Sequence, residues 1–250
     1  MTVVDIVIPS YNTRQLTVDC IDSIIRHSHQ KEQIIVVDNA SVDDSVAVIK
    51  VKFPQVTIIK NVTNDGYAKA CNQGARAGNG PYILFLNSDT KIVDSHWLDA
   101  MIQVFERDKS VAVVGPKLIN SQNKITGCGV IGTNAKPVIR GWMEPNRSDK
   151  YNLKMECVSV CGACMMIKRG NIPQLGLMDE RYPFYFEETD YCYNARSKGF
   201  KVMYTPATTV LHYHQGSSKD NVQLTQWFKT GQAIFNTKFA RMMGDARRYG

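Results

Sequence analysis

The sequence lacks any apolar run long enough to cross a bilayer as a helix. Its longest, such as Val3-Val4-Asp5-Ile6-Val7-Ile8, are strand-sized and interrupted, against the ~20 residues a span requires. No basic region precedes the first apolar run and no small-residue cleavage site follows it, so no secretory leader is expected and the chain reads as cytoplasmic. The turn after that run is Pro9-Ser10-Tyr11-Asn12 and has no G-x-G-x-x-G pattern, which argues against a dinucleotide-dependent oxidoreductase. Seven cysteines at scattered positions form no disulfide framework, so reduced thiols are expected. Internal repeats and low-complexity stretches are absent as well.

What is present belongs to an ordinary globular protein. The 250 residues are 44% hydrophobic and 21% charged, enough for one domain with a full core. The net charge is +7, and residues 219–250 hold six Lys/Arg against two Asp/Glu. That basic end suits either a solvated helix face or an anionic surface.

Short β-branched runs at Val3–Ile8, Ile34–Val37, Val56–Ile59, Tyr82–Leu86 and Val111–Val114 read as buried strands. Helical spacing separates them: Leu16, Cys20 and Ile24; Val42, Val46, Ile49 and Phe53; Trp97, Met101, Val104 and Phe105. Ser41 with Asp44 is expected to cap the second of these helices, and Asp94 or Ser95 the third. Such alternation predicts an α/β fold with a Rossmann-like, mostly parallel central sheet and helices on both faces. Residues 120–152 lose the period and read as a mobile loop or irregular hairpin. A strand over Val158–Ile167, a helix near Glu188–Lys198, strands at Val202–Tyr204 and Thr209–His212, and a helix near Val222–Phe239 complete the chain.

In parallel sheets ligands gather at the carboxyl ends of strands. Four strand ends here carry polar groups: Pro9-Ser10-Tyr11-Asn12, Asp38-Asn39-Ala40-Ser41, Asn64-Asp65-Gly66-Tyr67 leading to Lys69, and Asn87-Ser88-Asp89-Thr90. Each alone is also a turn sequence. An acid emerging from the apolar run Tyr82–Leu86 is costly unless it is solvated, paired or bound to a cation, so Asp89 is a candidate ligand for Mg2+ or Mn2+; capping a following helix is the alternative. Downstream, Glu187, Glu188 and Asp190 follow the aromatic run Phe184-Tyr185-Phe186. Paired carboxylates in apolar surroundings can form a general base, or simply an acidic first helical turn. The spacing Cys157-x3-Cys161-x2-Cys164 matches a radical S-adenosylmethionine cluster site, but Cys161 and Cys164 fall in the expected strand on opposite faces, which favours a structural role.

Taken in order, Ile6–Asn12, Val36–Ser41, Asn64–Tyr67, Leu86–Asp89, Gly162–Met165, Tyr185–Asp190 and His212 resemble the family 2 glycosyltransferases of the GT-A fold, in particular their rhamnosyltransferase-like branch. The resemblance covers roughly residues 3–218. It implies a GT-A domain over 1–218, with a donor-binding half at about 1–115 and an acceptor and catalytic half at about 116–218, followed by a basic helical tail at 219–250. Pro9, Tyr11, Asn12 and Asp38 would then line the nucleotide pocket, with Asn64, Gly66 and Lys69 near the base, ribose or diphosphate. Asn87 and Ser88 would complete the Asp-X-Asp position, leaving Asp89 as the main metal ligand. Glu188 stands where the family usually has a catalytic Asp, with Glu187 and Asp190 beside it. His212, or else His214, would reach the metal or the diphosphate.

The implied activity is polysaccharide-building transfer with inversion, from a nucleotide diphosphate sugar to a hydroxyl on a glycan, lipid-linked or protein acceptor, dependent on Mn2+ or Mg2+. The competing expectation is a nucleotide-sugar or polyanion-binding module without catalysis. No nucleic-acid partner is expected. The C-terminal helix, with Trp227, Phe228, Ile234, Phe235 and Phe239 on an apolar side and Lys229, Lys238 and Arg241 in charge, is expected to pack on the core or a second subunit, or to touch the inner face of the membrane peripherally.

Overall fold

The computed structural model describes residues 4–27, 32–133, 136–147, 149–214 and 222–240. Its strands are β1 (Val4–Ser10), β2 (Glu32–Asp38), β3 (Thr57–Lys60), β4 (Tyr82–Leu86), β5 (Thr90–Ile92), β6 (Val111–Ile119), β7 (Ile125–Gly127), β8 (Val130–Thr133), β9 (Lys136–Ile139), β10 (Met155–Glu156), β11 (Cys164–Lys168) and β12 (Lys201–His212). The helices are α1 (Arg14–Arg26), α2 (Ser45–Lys52), α3 (Tyr67–Ala77), α4 (Trp97–Arg107), α5 (Ile172–Leu175), α6 (Glu187–Ser197) and α7 (Val222–Lys238).

The main sheet runs β10-β12-β6-β11-β4-β1-β2-β3, with β5 added to β12 and β7 to β6. The four strands β3, β2, β1 and β4 are mutually parallel, and β11 enters antiparallel between β4 and β6. The expected mostly parallel sheet is therefore present. Its two faces are assigned by the period-two alternation of β1. Ile6 and Ile8 join Val18, Ile21 and Ile24 of α1 and Trp97, Met101 and Phe105 of α4 on one side. Val7 joins Ala70, Cys71 and Ala75 of α3 and Tyr191 and Cys192 of α6 on the other. Each such fully buried side chain contributes roughly 1.5–3 kcal/mol of transfer free energy, which is why the strands read as unbroken apolar runs. Asp5 interrupts β1 yet is fully buried, its Oδ2 accepting from Arg169 at 2.6 Å and from the Gly80 backbone N–H at 2.7 Å.

Several elements differ from the sequence reading. Val42 is 92% exposed and precedes α2; Asp44 occupies the N-cap position but its side chain makes no capping hydrogen bond, and Asp43 Oδ1 accepts the Ser45 backbone N–H at 3.1 Å in its place. Asp94 accepts the His96 N–H one turn before α4 and does not cap the helix itself. The apolar stretch 158–167 is a strand only from Cys164, because a turn at Gly162-Ala163 breaks it. The two expected strands near the end form one strand, β12, whose register with β6 jumps between Thr205 and Thr209, where Pro206 can donate no ladder hydrogen bond. Among the described residues between 120 and 152, β7 joins β6 of the main sheet and β8 and β9 pair as an antiparallel hairpin.

Candidate active site

The donor-side loops are laced together at the carboxyl ends of β1, β2 and β4. Asn12 adopts φ 52°, a left-handed conformation that asparagine tolerates. From there its N–H donates to Ser41 Oγ at 2.9 Å, while its own Oδ1 accepts the Val42 N–H at 2.9 Å. Pro9 and Ser10 are buried beneath, and Tyr11 stands half-exposed at the rim. Asp38 ends β2 with its carboxylate buried: Oδ2 accepts the Ser41 N–H at 3.2 Å, and Oδ1 has no partner among the described residues. A buried carboxylate oxygen left unmatched is costly, so a donor supplied from outside the chain fits there.

Asn64 and Gly66 form the next loop. Asn64 Oδ1 accepts the Gly66 N–H at 3.2 Å, and the Asn39 side-chain amide donates to the Gly66 carbonyl at 3.1 Å. Gly66 has φ 94°, and a Cβ on it would stand 2.7 Å from the Pro183 carbonyl oxygen, so this loop touches the segment leading into α6. Lys69 is turned to the rim, with its ammonium 2.5 Å from Asp65.

β4 delivers Asn87, Ser88 and Asp89. The Asn87 N–H donates to the Ala163 carbonyl at 2.9 Å, its Oδ1 is buried without a partner among the described residues, and Ser88 shares a hydrogen bond with Thr13 at 3.1 Å. Strand β5, and no helix, follows Asp89, so the capping alternative is excluded. Because β5 pairs antiparallel with β12, Thr90 lies opposite His212, and His212 Nε2 comes to 3.2 Å from Asp89 Oδ1. Both side chains are buried, and His212 Nδ1 has no partner among the described residues. His214 stacks on His212 at 3.9 Å between ring centroids and meets the edge of Trp142 at 6.0 Å. Of the two histidines, His212 is the one beside Asp89. Arg241 lies outside the described residues.

These residues fit a hard divalent cation. Among the described residues no three His, Cys, Asp or Glu side chains converge. One carboxylate and one imidazole, with the unmatched Asn87 oxygen nearby, match a site whose remaining ligands are phosphate oxygens and water.

The three acids of α6 point to different surroundings. Glu187 is buried, its Oε2 unmatched among the described residues, and burial first and then the neighbouring Glu188 push its carboxyl well above the ordinary range. Glu188 is partly exposed and lies over Gly162, where a Cβ would come within 3.1 Å of its Cγ; burial raises it as well. Gly162 in turn adjoins Ala163, the partner of Asn87, and its carbonyl accepts the Tyr67 hydroxyl at 3.2 Å. Asp190 faces away, accepting from the Tyr182 hydroxyl at 2.9 Å and from Lys238 at 2.8 Å; burial still raises it against both pulls. Glu188 is thus brought towards the Asn87 loop and Asp190 is not.

The cysteines border this arrangement as buried thiols: Cys20 donates to the Asn87 carbonyl at 3.8 Å, and the Cys161 thiol is close enough to Glu188 and Asp89 for their charges to raise it further. Cys161 precedes the Gly162-Ala163 turn and is not on β11, so the opposite-faces argument does not hold for it. Burial pushes the Cys157 and Cys161 thiols up to about 12 and the Cys164 thiol well up, which keeps them protonated. Sequence reasoning missed Tyr182, the pairing of Lys238 with Asp190 and the Thr13-Ser88 contact; the last two join residues 48 and 75 positions apart, which no local pattern connects.

The chain is similar to known proteins in sequence and in fold. The chain is 23% identical over 225 residues to the O-antigen biosynthesis protein RfbC of Myxococcus xanthus, matching 86% of this chain but 18% of that one. It is 23% identical over 214 residues to the N-acetylglucosaminyl-diphospho-decaprenol L-rhamnosyltransferase of Mycobacterium tuberculosis, with 74% and 67% covered. The chain therefore spans less than a fifth of the first relative's length and two thirds of the second's. The crystal structure of GalNAc-T7 with UDP, GalNAc and Mn2+ superposes with a TM-score of 0.70 at 17% identity, over 93% of this chain and 48% of that one, and identifies the fold as GT-A. The acidic turn and His212 lie beyond the reach of the family comparison, but the profile of glycosyl transferase family 2 matches residues 5–176, from the second residue of β1 to the end of α5 and through every donor-side loop, so the chain belongs to that family.

Proposed function

We propose that the chain is an inverting glycosyltransferase that moves a sugar from a nucleotide diphosphate donor to a hydroxyl of a glycan or lipid-linked acceptor, in the service of polysaccharide biosynthesis. The observation that carries this reading is the buried pairing of Asp89 with His212 at the edge of the sheet whose strand ends also carry the unmatched buried oxygens of Asp38 and Asn87. In this reading Pro9, Tyr11, Asn12 and Asp38 bracket the nucleoside, and Asn64, Gly66, Lys69 and Ser88 face the ribose and diphosphate. Asp89 and His212 would hold Mn2+ or Mg2+, which neutralises charge on the departing diphosphate. GalNAc-T7, which shares the fold, was crystallised with UDP and Mn2+. The acceptor oxygen attacks the anomeric carbon as the bond to the diphosphate breaks, and Glu188 takes the hydroxyl proton. Its raised carboxyl suits a base working near neutral pH.

The name of the mycobacterial relative supports a lipid-linked acceptor. No described helix is long and apolar enough to cross a membrane. Phe235 of α7 and Phe239 just after it are buried, and Phe228 packs on Tyr185 and Phe186 while half-exposed, which favours packing for that helix; Lys229 is exposed for a peripheral membrane contact or a second subunit. We take 1–218 as the transferase domain and 219–250 as its basic extension. The test is hydrolysis and transfer with a panel of UDP-, dTDP- and GDP-sugars, with and without Mn2+, reading the product's anomeric configuration by NMR. Donor-dependent turnover with inversion is expected. Binding without turnover would instead favour the nucleotide-sugar-binding module, and full activity after chelation would remove the metal.

A further inference from the structure

Helix α7 contacts the segment that presents the acidic turn along most of its length. A Cβ on Gly231 would come within 3.0 Å of the Phe186 ring and 3.1 Å of the Tyr185 carbonyl oxygen, so the helix lies directly against this backbone. The Phe235 ring is 5.6 Å from Phe186 and 4.8 Å from Tyr193, and Trp227 meets Phe184 at 6.4 Å. At the far end the Lys238 ammonium lies 2.8 Å from the buried Asp190 carboxylate and 3.1 Å from Asp179.

What α7 leans on is strained. Tyr185 and Phe186 hold φ 68° and 74°, left-handed conformations that bulky residues adopt only where their surroundings enforce them. They are also the two residues immediately before Glu187 and Glu188. Together they set the direction in which the chain enters α6, whose Glu188 lies over Gly162.

We infer that α7 is part of the catalytic apparatus: Lys238 latches Asp190 and Asp179 so that the left-handed Tyr185-Phe186 backbone is kept and Glu188 is presented to the reacting hydroxyl. Lys238 and Asp190 are positioning residues in this scheme, and neither touches substrate. The inference rests on Glu188 being the base, and its test separates the two.

The substitution Lys238→Met keeps the aliphatic stem and removes the charge. The assay is hydrolysis, by the full chain with Mn2+, of whichever UDP-, dTDP- or GDP-sugar gives the largest thermal shift. A displacement of the base by about an ångström lowers kcat by about 10- to 100-fold, with donor KM expected within about twofold because the donor loops are untouched. Lys238→Arg is expected to recover most of the loss, and amide hydrogen exchange at residues 185–190 is expected to accelerate in Lys238→Met alone. Should that variant not fold, Gly231→Ala, which presses on Phe186, is expected to show the same split at lower amplitude. Normal kcat in both variants, or an equal loss of kcat and donor affinity, overturns the latch. A slow Lys238→Met beside a fully active Glu188→Gln removes Glu188 as the base, and with it the inference as stated, leaving α7 to hold the turn for another group; the reverse pattern removes the latch and keeps the base.

Discussion

The loops after β1, β2 and β4 and the turn that opens α6 both place polar groups at the rim of one sheet, but different forces hold them. At the ends of β1 and β2 the polar residues are held by hydrogen bonds within and between loops, as Asn12 is by Ser41 and Val42 of the next loop and Asp38 by Ser41 of its own. Around α6 the acids are fixed by burial, aromatic packing and a lysine from 48 residues away. The first arrangement is polar, pre-formed and tolerant of solvent. The second keeps carboxyls in apolar surroundings, where ionisation is costly and their proton affinity rises. A transferase needs both: fixed oxygens for the donor and an acid whose pKa is lifted towards the working pH.

Four substitutions probe that contrast. Asp89→Ala is expected to have the largest effect, abolishing transfer at any Mn2+ concentration while the fold melts cooperatively; measurable turnover restored by millimolar metal would mean that His212 alone suffices. Next, Glu188→Gln is expected to lower kcat by about 10²–10⁴-fold with nucleotide affinity nearly unchanged. In the wild type the acidic limb of the kcat/KM profile is expected above the ordinary carboxylate range, because the base works only when deprotonated and its carboxyl is raised. A limb at the usual glutamate position would count against burial as the tuning force.

Gly66→Ala tests the contact between the two regions. With φ 94° and the Pro183 carbonyl at 2.7 Å from the added Cβ, it is expected to cost about 1–3 kcal/mol in urea melts and to disturb donor binding and α6 together. The smallest effect is expected from Glu187→Gln and depends on pH. A carboxyl raised in the folded state contributes stability that is complete below its unfolded pKa and is lost as pH rises towards the folded value. The variant should therefore melt with the wild type near pH 4 and progressively above it as pH rises through neutrality, measured by calorimetry. Parallel curves would show that Glu187 ionises freely.

Much of the donor half was legible before any coordinates. The β-branched runs, the helical spacing between them and polar residues at strand ends are local signals, and the structure puts Asp38 and Asn87 at strand ends as those signals required, whereas Asn64 lies four residues beyond β3 in the loop leading into α3. The second half was less legible. The apolar stretch 158–167 has no internal mark for the turn at Gly162-Ala163, because glycine and alanine are also found in buried strands. Pro206 hid inside what reads as a gap between two strands and proved to be an irregularity in one.

The sequence by itself determined the α/β alternation, the sheet's buried strands and the residue types at its carboxyl edge, because periodicity and turn chemistry act over a few neighbouring residues. Only the tertiary structure decided which acid faces the site and which histidine meets Asp89. The three carboxylates of Glu187, Glu188 and Asp190 are nearly equivalent in sequence, and a helix turns them roughly 100° apart per residue. Their distinct surroundings come from Gly162, Tyr182 and Lys238. Likewise His212 reaches Asp89 only because β5 pairs with β12, a contact between residues more than a hundred positions apart that no local pattern encodes.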